Sequence, residues 1–279
     1  MTREELMRLS VEDLRSHARL RFRLLPDTAA VMEEFARNIA DEVRACGGGP
    51  LNLILPVGPV AQYPILVEIT NRERISWRGV HIFQMDEWLD WQGRPVPQNH
   101  PLSFTGFLQR ELFLKIDESL RPARHHVPDP FAPDRISEEL TRLGGAAICY
   151  GGIGYHGHVA FNEPPLSRWS KVSIDALRNS LTRVVQLGDD SIVVQSIGCA
   201  GGDSHAIPPM AVTLGMRDIL AASKIRLYCA GGERHRAIFR TAVAGEVAVD
   251  YPVTLVQGHP DAEVITDEAT ARPIQACLH

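Results

Sequence analysis

The chain reads G-G-I-G-Y-H-G-H-V-A-F-N-E-P over residues 151–164, directly after an apolar run at 146–150. An apolar run that ends in glycines is typical of a buried strand followed by a turn. This turn carries two histidines and a glutamate, which are acid–base side chains, on a backbone that glycine leaves free to approach a ligand. The stretch therefore predicts a strand end that binds a sugar or a phosphate.

The rest of the chain repeats the alternation of strand, turn and helix. Apolar runs predict strands at 51–56, 80–85, 146–150, 184–187, 225–230, 253–256 and 262–266, and helical periodicity predicts helices at 28–45, 61–71, 103–113, 136–143, 210–222 and 233–244. Strands that alternate with helices form a parallel sheet with helices on both faces. We predict an open, mostly parallel, Rossmann-like α/β sheet in one domain over 1–279, with residues 1–25 as an N-terminal helical arm.

Polar or glycine-rich clusters follow several of the predicted strands. Gly58 follows the first strand, Asp86 and Glu87 follow the second, and residues 231–235 follow a later one. Each cluster taken alone is also explained by an ordinary turn or helix cap. In an open α/β sheet, however, ligands bind at the carboxyl ends of the strands. We therefore expect these clusters to form one cleft with residues 151–163.

Composition narrows the class of partner. The net charge of −5 gives no electrostatic case for nucleic acid binding. No apolar run reaches the roughly 18 residues that span a membrane. Five scattered cysteines argue against a disulfide framework or a structural zinc site. We expect a cytoplasmic protein with a small-molecule partner and neither nucleic acid nor membrane as a partner, and a homo-oligomer stays an open alternative.

The polar residues fit proton transfer next to a carbonyl group. The carboxylate of Asp86 is suited to move a proton between adjacent carbons, and His158 is suited to shuttle a proton to or from a ring oxygen near neutral pH. Glu163 is expected to orient His158 and to fix its tautomer. Gly152 and Gly154 let the backbone approach an anionic sugar and offer N–H donors to it.

A metal site is the alternative for the same stretch. His156-x-His158 on an extended segment places two rings on one side of the chain, and Glu163 or His100 would complete a ligand set. The glycines that flank the two histidines favour a site without a metal.

Ordered motifs along the chain resemble the glucosamine-6-phosphate deaminase/isomerase family, which is related to the 6-phosphogluconolactonases. Residues 83–88, F-Q-M-D-E-W, resemble F-N-M-D-E-Y, and residues 151–164 resemble G-G-I/V-G-x-D-G-H-I/V-A-F-N-E-P. Shorter matches lie at 100–104, 207–215, 242–245, 257–260 and 267–269. The resemblance extends over roughly residues 25 to 270, and these matches in the same order along the chain, one of them long, make it specific.

The resemblance implies an enzyme without metal or organic cofactor that opens an aminosugar ring, isomerises aldose to ketose through an enolamine, and releases ammonia. Asp86 would be the base that moves the proton between C2 and C1, and His158 would assist ring opening with His156 and Glu163 beside it. The substrate-binding residues implied in this way are Val57, Gly58, Pro59, Glu87, Gly152, Gly154, Arg234 and His235.

The chain departs from the family pattern at two places. The family has an aspartate at the position of His156. The negative charge of that aspartate would raise the pKa of His158, and this chain lacks it. The family loop P-T-G-G/S-T-P is replaced by P-V-G-P-V-A at 56–61, and its phosphate lysine aligns with His235, next to Arg234. Two hydroxyl donors are lost, and Pro59 lacks a backbone N–H.

Several functions stay open at this point. The family's S-R before the motif at 207–215 also finds no clear match around 196–205. The joint loss of loop hydroxyls, lysine and arginine favours a substrate that lacks a 6-phosphate or carries another group there, such as a carboxylate or sulfonate. The alternative is an anion site rebuilt from Arg234, His235 and His205. A lactonase-type hydrolase is an alternative, although F-N-E-P at 161–164 favours a deaminase over the lactonase motif. A non-catalytic sugar sensor is a further alternative, but such domains usually follow a DNA-binding segment longer than residues 1–25.

Overall fold

A seven-stranded parallel sheet forms the centre of the computed structural model, which describes residues 1–165 and 171–274. The strands are β1 Arg21–Leu25, β2 Leu51–Leu55, β3 Val80–Gln84, β4 Asp86–Leu89, β5 Arg124–His126, β6 Ile148–Gly152, β7 Arg183–Gln186, β8 Met210–Thr213, β9 Lys224–Cys229 and β10 Ala262–Asp267. The order of the strands in the parallel sheet is β1-β10-β9-β6-β2-β3-β5, and a second sheet of order β4-β8-β7 is antiparallel.

Helices cover both faces of the large sheet. They are α1 Arg3–Arg8, α2 Val11–His17, α3 Thr28–Ala45, α4 Gln62–Arg72, α5 Phe104–Leu108, α6 Asp134–Arg142, α7 Ile174–Arg178, α8 Asp189–Cys199, α9 Met216–Leu220, α10 Arg236–Ala244 and α11 Glu268–Ala271. Within the described ranges, none of the helices combines the length and apolar character that crossing a bilayer requires.

The core divides at the sheet because successive residues of a strand point to opposite faces. On β2, Leu53 and Leu55 join the cluster that contains Phe35 of α3, whereas Ile54 joins the cluster that contains Phe239 of α10. Apolar residues on both sides explain why the strands read as continuous apolar runs. The predicted parallel sheet with helices on both faces is confirmed.

Two predicted elements are wrong, and packing explains both. Residues 210–222 are strand β8 followed by the short helix α9, because β8 pairs with β4 and β7 and Gly215 ends it. A Cβ on Gly215 would lie 2.0 Å from the carbonyl oxygen of Ser180, so only glycine fits this close approach. The predicted strand at 253–256 is a 3₁₀ helix, Pro252–Gly258, whose β-branched residues are buried.

The first 25 residues are more than a helical arm. They contain α1, α2 and strand β1, which extends the sheet beside β10. Arg240 of α10 is fully buried and links α1 to residues 271–272. Its guanidinium donates hydrogen bonds to the backbone carbonyls of Leu6 (3.0 Å), Ala271 (2.8 Å) and Arg272 (3.2 Å).

Candidate active site

A cavity of about 500 Å³ opens at the carboxyl ends of β2, β6 and β9. This size lies within the usual range for small-molecule sites, about 300–1,000 Å³. The cavity brings together predicted site residues that are far apart in sequence: Gly58, Pro59, Asp86, Gly152, Gly154, His158 and His235. The other predicted residues, Val57, Glu87, His156, Glu163 and Arg234, do not line it.

Asp86 lies where the chain passes from the parallel sheet into the antiparallel one. Met85, just before it, is bonded to both, through its N–H to Leu55 O (3.1 Å) and its carbonyl to the N–H of Leu214 (2.9 Å). Asp86 lines the cavity at 6% exposure. Burial, together with the neighbouring Glu87 carboxylate, raises the pKa of Asp86 to about 8.

Glu87 does not line the cavity and instead binds backbone groups at the start of α5. Its carboxylate accepts hydrogen bonds from the backbone N–H groups of Trp88 (2.9 Å), Phe104 (2.9 Å) and Thr105 (2.7 Å) and from the hydroxyl of Ser103 (3.2 Å). A carboxylate at a helix N-terminus satisfies N–H groups that have no partner within the helix. Glu87 therefore holds α5 in place, and the prediction that it contacts substrate has no support in its geometry.

His158 is the imidazole that faces the cavity. The ring is 9% exposed, and its buried Nδ1 atom has no hydrogen-bond partner among residues 1–165 and 171–274. Burial, together with the nearby His156 and His235, lowers the pKa of His158 to about 3. The ring is therefore neutral at physiological pH. The loss of a negative charge at position 156 acts in the expected direction, but burial is the larger cause.

Gly154 makes room for this ring. The segment turns tightly here, because the N–H of Gly154 is bonded to the carbonyl of His158 (2.9 Å) and that of Gly157 to the carbonyl of Gly154 (2.9 Å). A Cβ on Gly154 would lie 1.8 Å from His158 Nε2. The glycine at this position is therefore required by close packing against the imidazole. The prediction that its N–H is offered to a sugar is wrong, because that N–H already donates to His158 O.

Replacing Gly154 by alanine is expected to displace His158 and to lower kcat about 100-fold, the usual effect of moving a catalytic group by about 1 Å. Gly198→Ala is the matched control, since nothing lies within 4 Å of a Cβ added there on α8. Activity and melting temperature of the two purified variants test this. Gly154→Ala with the activity of Gly198→Ala would contradict the packing argument.

Glu163 does not orient His158 as the sequence predicts. Its carboxylate instead accepts hydrogen bonds from the N–H of Gly188 (2.9 Å) and from the hydroxyl of Ser191. His156 joins the same group from the other side, with Nε2 2.5 Å from Asp190 Oδ2 and Nδ1 3.3 Å from Ser191 Oγ. The first turn of α8 thus supports the motif loop.

Asp190 and Ser191 are the site residues that sequence reasoning missed. They follow Gly188 and lie in the first turn of α8, where acidic and hydroxyl residues commonly begin a helix. That start signal is visible in the sequence, but nothing in it connects α8 with His156, 34 residues earlier. The family pattern has an aspartate at position 156 itself. In this chain Asp190 places a carboxylate next to His156 instead.

His156, His158 and Glu163 also have the composition of a metal site. One potential ligand atom from each lies within 4.8 Å of the others. His156 and Glu163, however, already use their polar atoms in hydrogen bonds to the first turn of α8 and to Gly188. A metal would have to displace those bonds, so the metal-free site stays the prediction.

The loop at 56–61 approaches the motif closely. A Cβ on Gly152 would lie 2.9 Å from both Gly58 O and Pro59 Cδ, so glycine permits this contact. Val57 is buried in the core at 4% exposure and is not available to a ligand. His235 lines the cavity from the turn after β9, whereas Arg234 is exposed to solvent.

The fold is shared with solved sugar-phosphate enzymes. None of the protein-family models matches the chain. A monomeric glucosamine-6-phosphate deaminase is similar in structure, with a TM-score of 0.77 at 23% identity over 90% of this chain and 99% of that chain. A 6-phosphogluconolactonase from Shewanella baltica gives a TM-score of 0.62 at 18% identity over 89% and 97%. Fold and strand-end cavity define the class of α/β proteins that includes these deaminases and lactonases.

Sequence similarity narrows this class to one family. The glucosamine-6-phosphate deaminase of Shewanella loihica is 32% identical over 254 residues, which are 89% of this chain and 87% of that protein. That of Aeromonas hydrophila is 29% identical over 251 residues, 86% and 87% of the two chains. The chain belongs to the glucosamine-6-phosphate deaminase family, as its motifs predict.

Proposed function

We propose that this protein opens the ring of an aminosugar, isomerises the open-chain aldose to the ketose and releases ammonia. The observation that carries the proposal is that Asp86 and His158 line the same cavity. Both stand at positions that match the motifs of the family. The relatives from Shewanella loihica and Aeromonas hydrophila are themselves glucosamine-6-phosphate deaminases, which supports the assignment.

His158 is suited to ring opening because its imidazole is neutral. A neutral imidazole accepts the proton of the anomeric hydroxyl and returns a proton to the ring oxygen, so the sugar opens without net proton transfer. His156, bonded to Asp190 and Ser191, borders His158, with ring centroids 5.8 Å apart. This neighbouring group positions the loop that carries the reacting imidazole.

Asp86 is suited to the isomerisation. Its carboxylate removes the proton on C2 while the aldehyde oxygen takes up a proton, which gives an enolamine. The same carboxyl group then returns its proton to C1 as the amino group loses one, which leaves an imine at C2. The resulting imine at C2 adds water and loses ammonia, so that aminosugar and water become ketose and ammonia. An aspartate with its pKa raised to about 8 is a stronger base than an exposed one, as a weakly acidic C–H requires.

The test is a panel of 2-amino-2-deoxy sugars, assayed for ammonia and for ketose in equal amounts. We expect both products from at least one aminosugar, and we expect Asp86→Asn to lower the formation of both by the same large factor. Acid release from aldonolactones that persists in Asp86→Asn, with no ammonia from any aminosugar, would contradict the proposal and favour a lactonase-type hydrolase.

The pH dependence of the wild-type protein follows from Asp86. Its carboxyl must lose a proton to act as a base, and burial raises its pKa to about 8. We therefore expect kcat/KM to rise with pH and to reach half its maximum near pH 8, while His158 stays neutral throughout. Rates measured from about pH 6 to 10 test this. A flat profile, or a midpoint near the ordinary aspartate value of about 4, would contradict it.

A further inference from the structure

We propose that the substrate carries no phosphate on C6, and that the cavity accepts an uncharged hydroxymethyl or methyl group there. The inference rests on the proposed function, which orients the sugar with C1 and C2 towards Asp86 and His158 and C6 away from them. It concerns the loop end of the cavity, which we define as Pro56, Gly58, Pro59, Val60, Ala61 and His235. These residues occupy the positions at which the family motifs place the phosphate contacts.

The side chains around the cavity, in the part of the chain that the structure describes, supply no cation for a phosphate. Of the described residues that line the cavity, none is a lysine or an arginine. The histidines do not replace them, because burial lowers the pKa of both His158 and His235 and leaves them neutral at pH 7. A phosphate dianion in a buried site is stabilised by charge-assisted hydrogen bonds from cations. The loop end offers no such partner to a dianion.

The supply of hydrogen-bond donors at the loop end is reduced. The start of α4 faces this loop, and a helix N-terminus ordinarily presents free N–H groups to an anion. Here Pro59 and Pro64 have no N–H, and the N–H of Tyr63 is already bonded to Val60 O (3.1 Å). The side-chain amide of Gln62 donates to Pro59 O (2.6 Å). The backbone N–H groups of Val60, Ala61 and Gln62 remain as donors, which suits a neutral hydroxyl but gives a dianion no charged partner.

The cavity wall is partly apolar. Met32, Val60 and Ala61 contribute apolar side chains to it. The hydroxyl of Thr28, which also lines the cavity, donates to the buried carboxylate of Asp267 (2.7 Å). That hydroxyl is thus already bonded and is not a free donor for an anion. An apolar wall whose hydroxyl is already used fits a neutral group better than a dianion.

The substrate test compares three 2-amino-2-deoxyhexoses that differ only at C6: the free hydroxyl, the 6-deoxy compound and the 6-phosphate. We expect kcat/KM to be about 100-fold higher for the two neutral sugars than for the phosphate ester. An equal or higher kcat/KM for the 6-phosphate would overturn the inference.

A binding test separates this inference from the proposed function. Calorimetry with 2-amino-2-deoxyhexitol and its 6-phosphate, which cannot react, measures the preference at C6 without turnover. Tighter binding of the neutral hexitol with no turnover of any aminosugar means that the function is wrong and the inference stands. Tighter binding of the phosphate, or no binding of either compound, overturns the inference.

A cation placed at the loop end provides the reciprocal test. His235→Lys, which introduces the residue type that the family motif has there, is expected to raise affinity for the hexitol 6-phosphate about tenfold. His17→Lys on α2 is the matched control, since His17 is exposed and outside the cavity. Equal effects of the two lysine variants on affinity for the hexitol 6-phosphate would overturn the inference. Loss of phosphate binding in Arg234→Ala would also overturn it, because it would reveal an anion site built by that arginine.

Discussion

Asp86→Asn is expected to lower kcat/KM about 10³-fold, because the amide cannot accept the C2 proton and general-base catalysis contributes about 10²–10⁴. The side chain keeps its shape, so KM is expected to stay within about threefold of wild type. The measurement is ammonia release by the wild type and the variant at about pH 9, where Asp86 is ionised in the wild type.

The same substitution is expected to stabilise the fold at alkaline pH. The pKa of Asp86 in the folded protein is raised to about 8, so the protonated carboxyl favours the folded state. This stabilisation is fully present below the pKa of the unfolded chain and is lost as pH rises through about 8. Asparagine does not ionise, and the variant should gain on the order of 3–5 kcal/mol over wild type above pH 8 and little near pH 4. Urea unfolding at both pH values measures this difference.

Asp250→Asn, at an exposed position, is the matched control for both effects. It should change neither turnover nor the pH dependence of unfolding. An Asp86→Asn variant that keeps more than about a tenth of the wild-type rate would exclude Asp86 as the base. Unchanged stability at high pH would show instead that its carboxylate is solvated.

His158→Gln is expected to lower kcat about 100-fold on a ring-closed aminosugar, because glutamine cannot exchange a proton with the anomeric hydroxyl and the ring oxygen. The isomerisation site at Asp86 remains, so the variant should convert open-chain sugar that forms spontaneously. At high enzyme concentration its rate is then expected to become independent of enzyme, a signature that a merely misfolded protein would not give.

His17→Gln is the control for this variant, because His17 is exposed on α2. A His158→Gln rate that stays proportional to enzyme concentration, and falls less than about tenfold, would mean that ring opening does not depend on this imidazole.

Much of the fold follows from local pattern. Strands of the parallel sheet are apolar on both faces, so runs such as 51–55 and 262–267 are visible in the sequence, and α3 shows its buried stripe at helical spacing. The cavity was predictable for the same reason. Once the strands are placed, the clusters at their carboxyl ends must converge.

The rest depends on contacts between distant residues. Strand β8 looks helical by itself and is a strand because β4, more than 120 residues earlier, pairs with it. Glu87 resembles a site residue next to Asp86, yet the start of α5 uses its carboxylate. His156 was recognised as unusual, but its partner Asp190 could not be identified, since the first turn of α8 meets it only in the folded chain.

The position of β1 has a consequence for the order in which the protein assembles. Strand β1 is synthesised well before its neighbour β10, and two of the carbonyls that hold Arg240 follow β10 in the chain. A nascent chain that still lacks residues 262–274 also lacks the strand with which β1 pairs. Strand β1 is therefore expected to join the sheet only after most of the other strands have been synthesised.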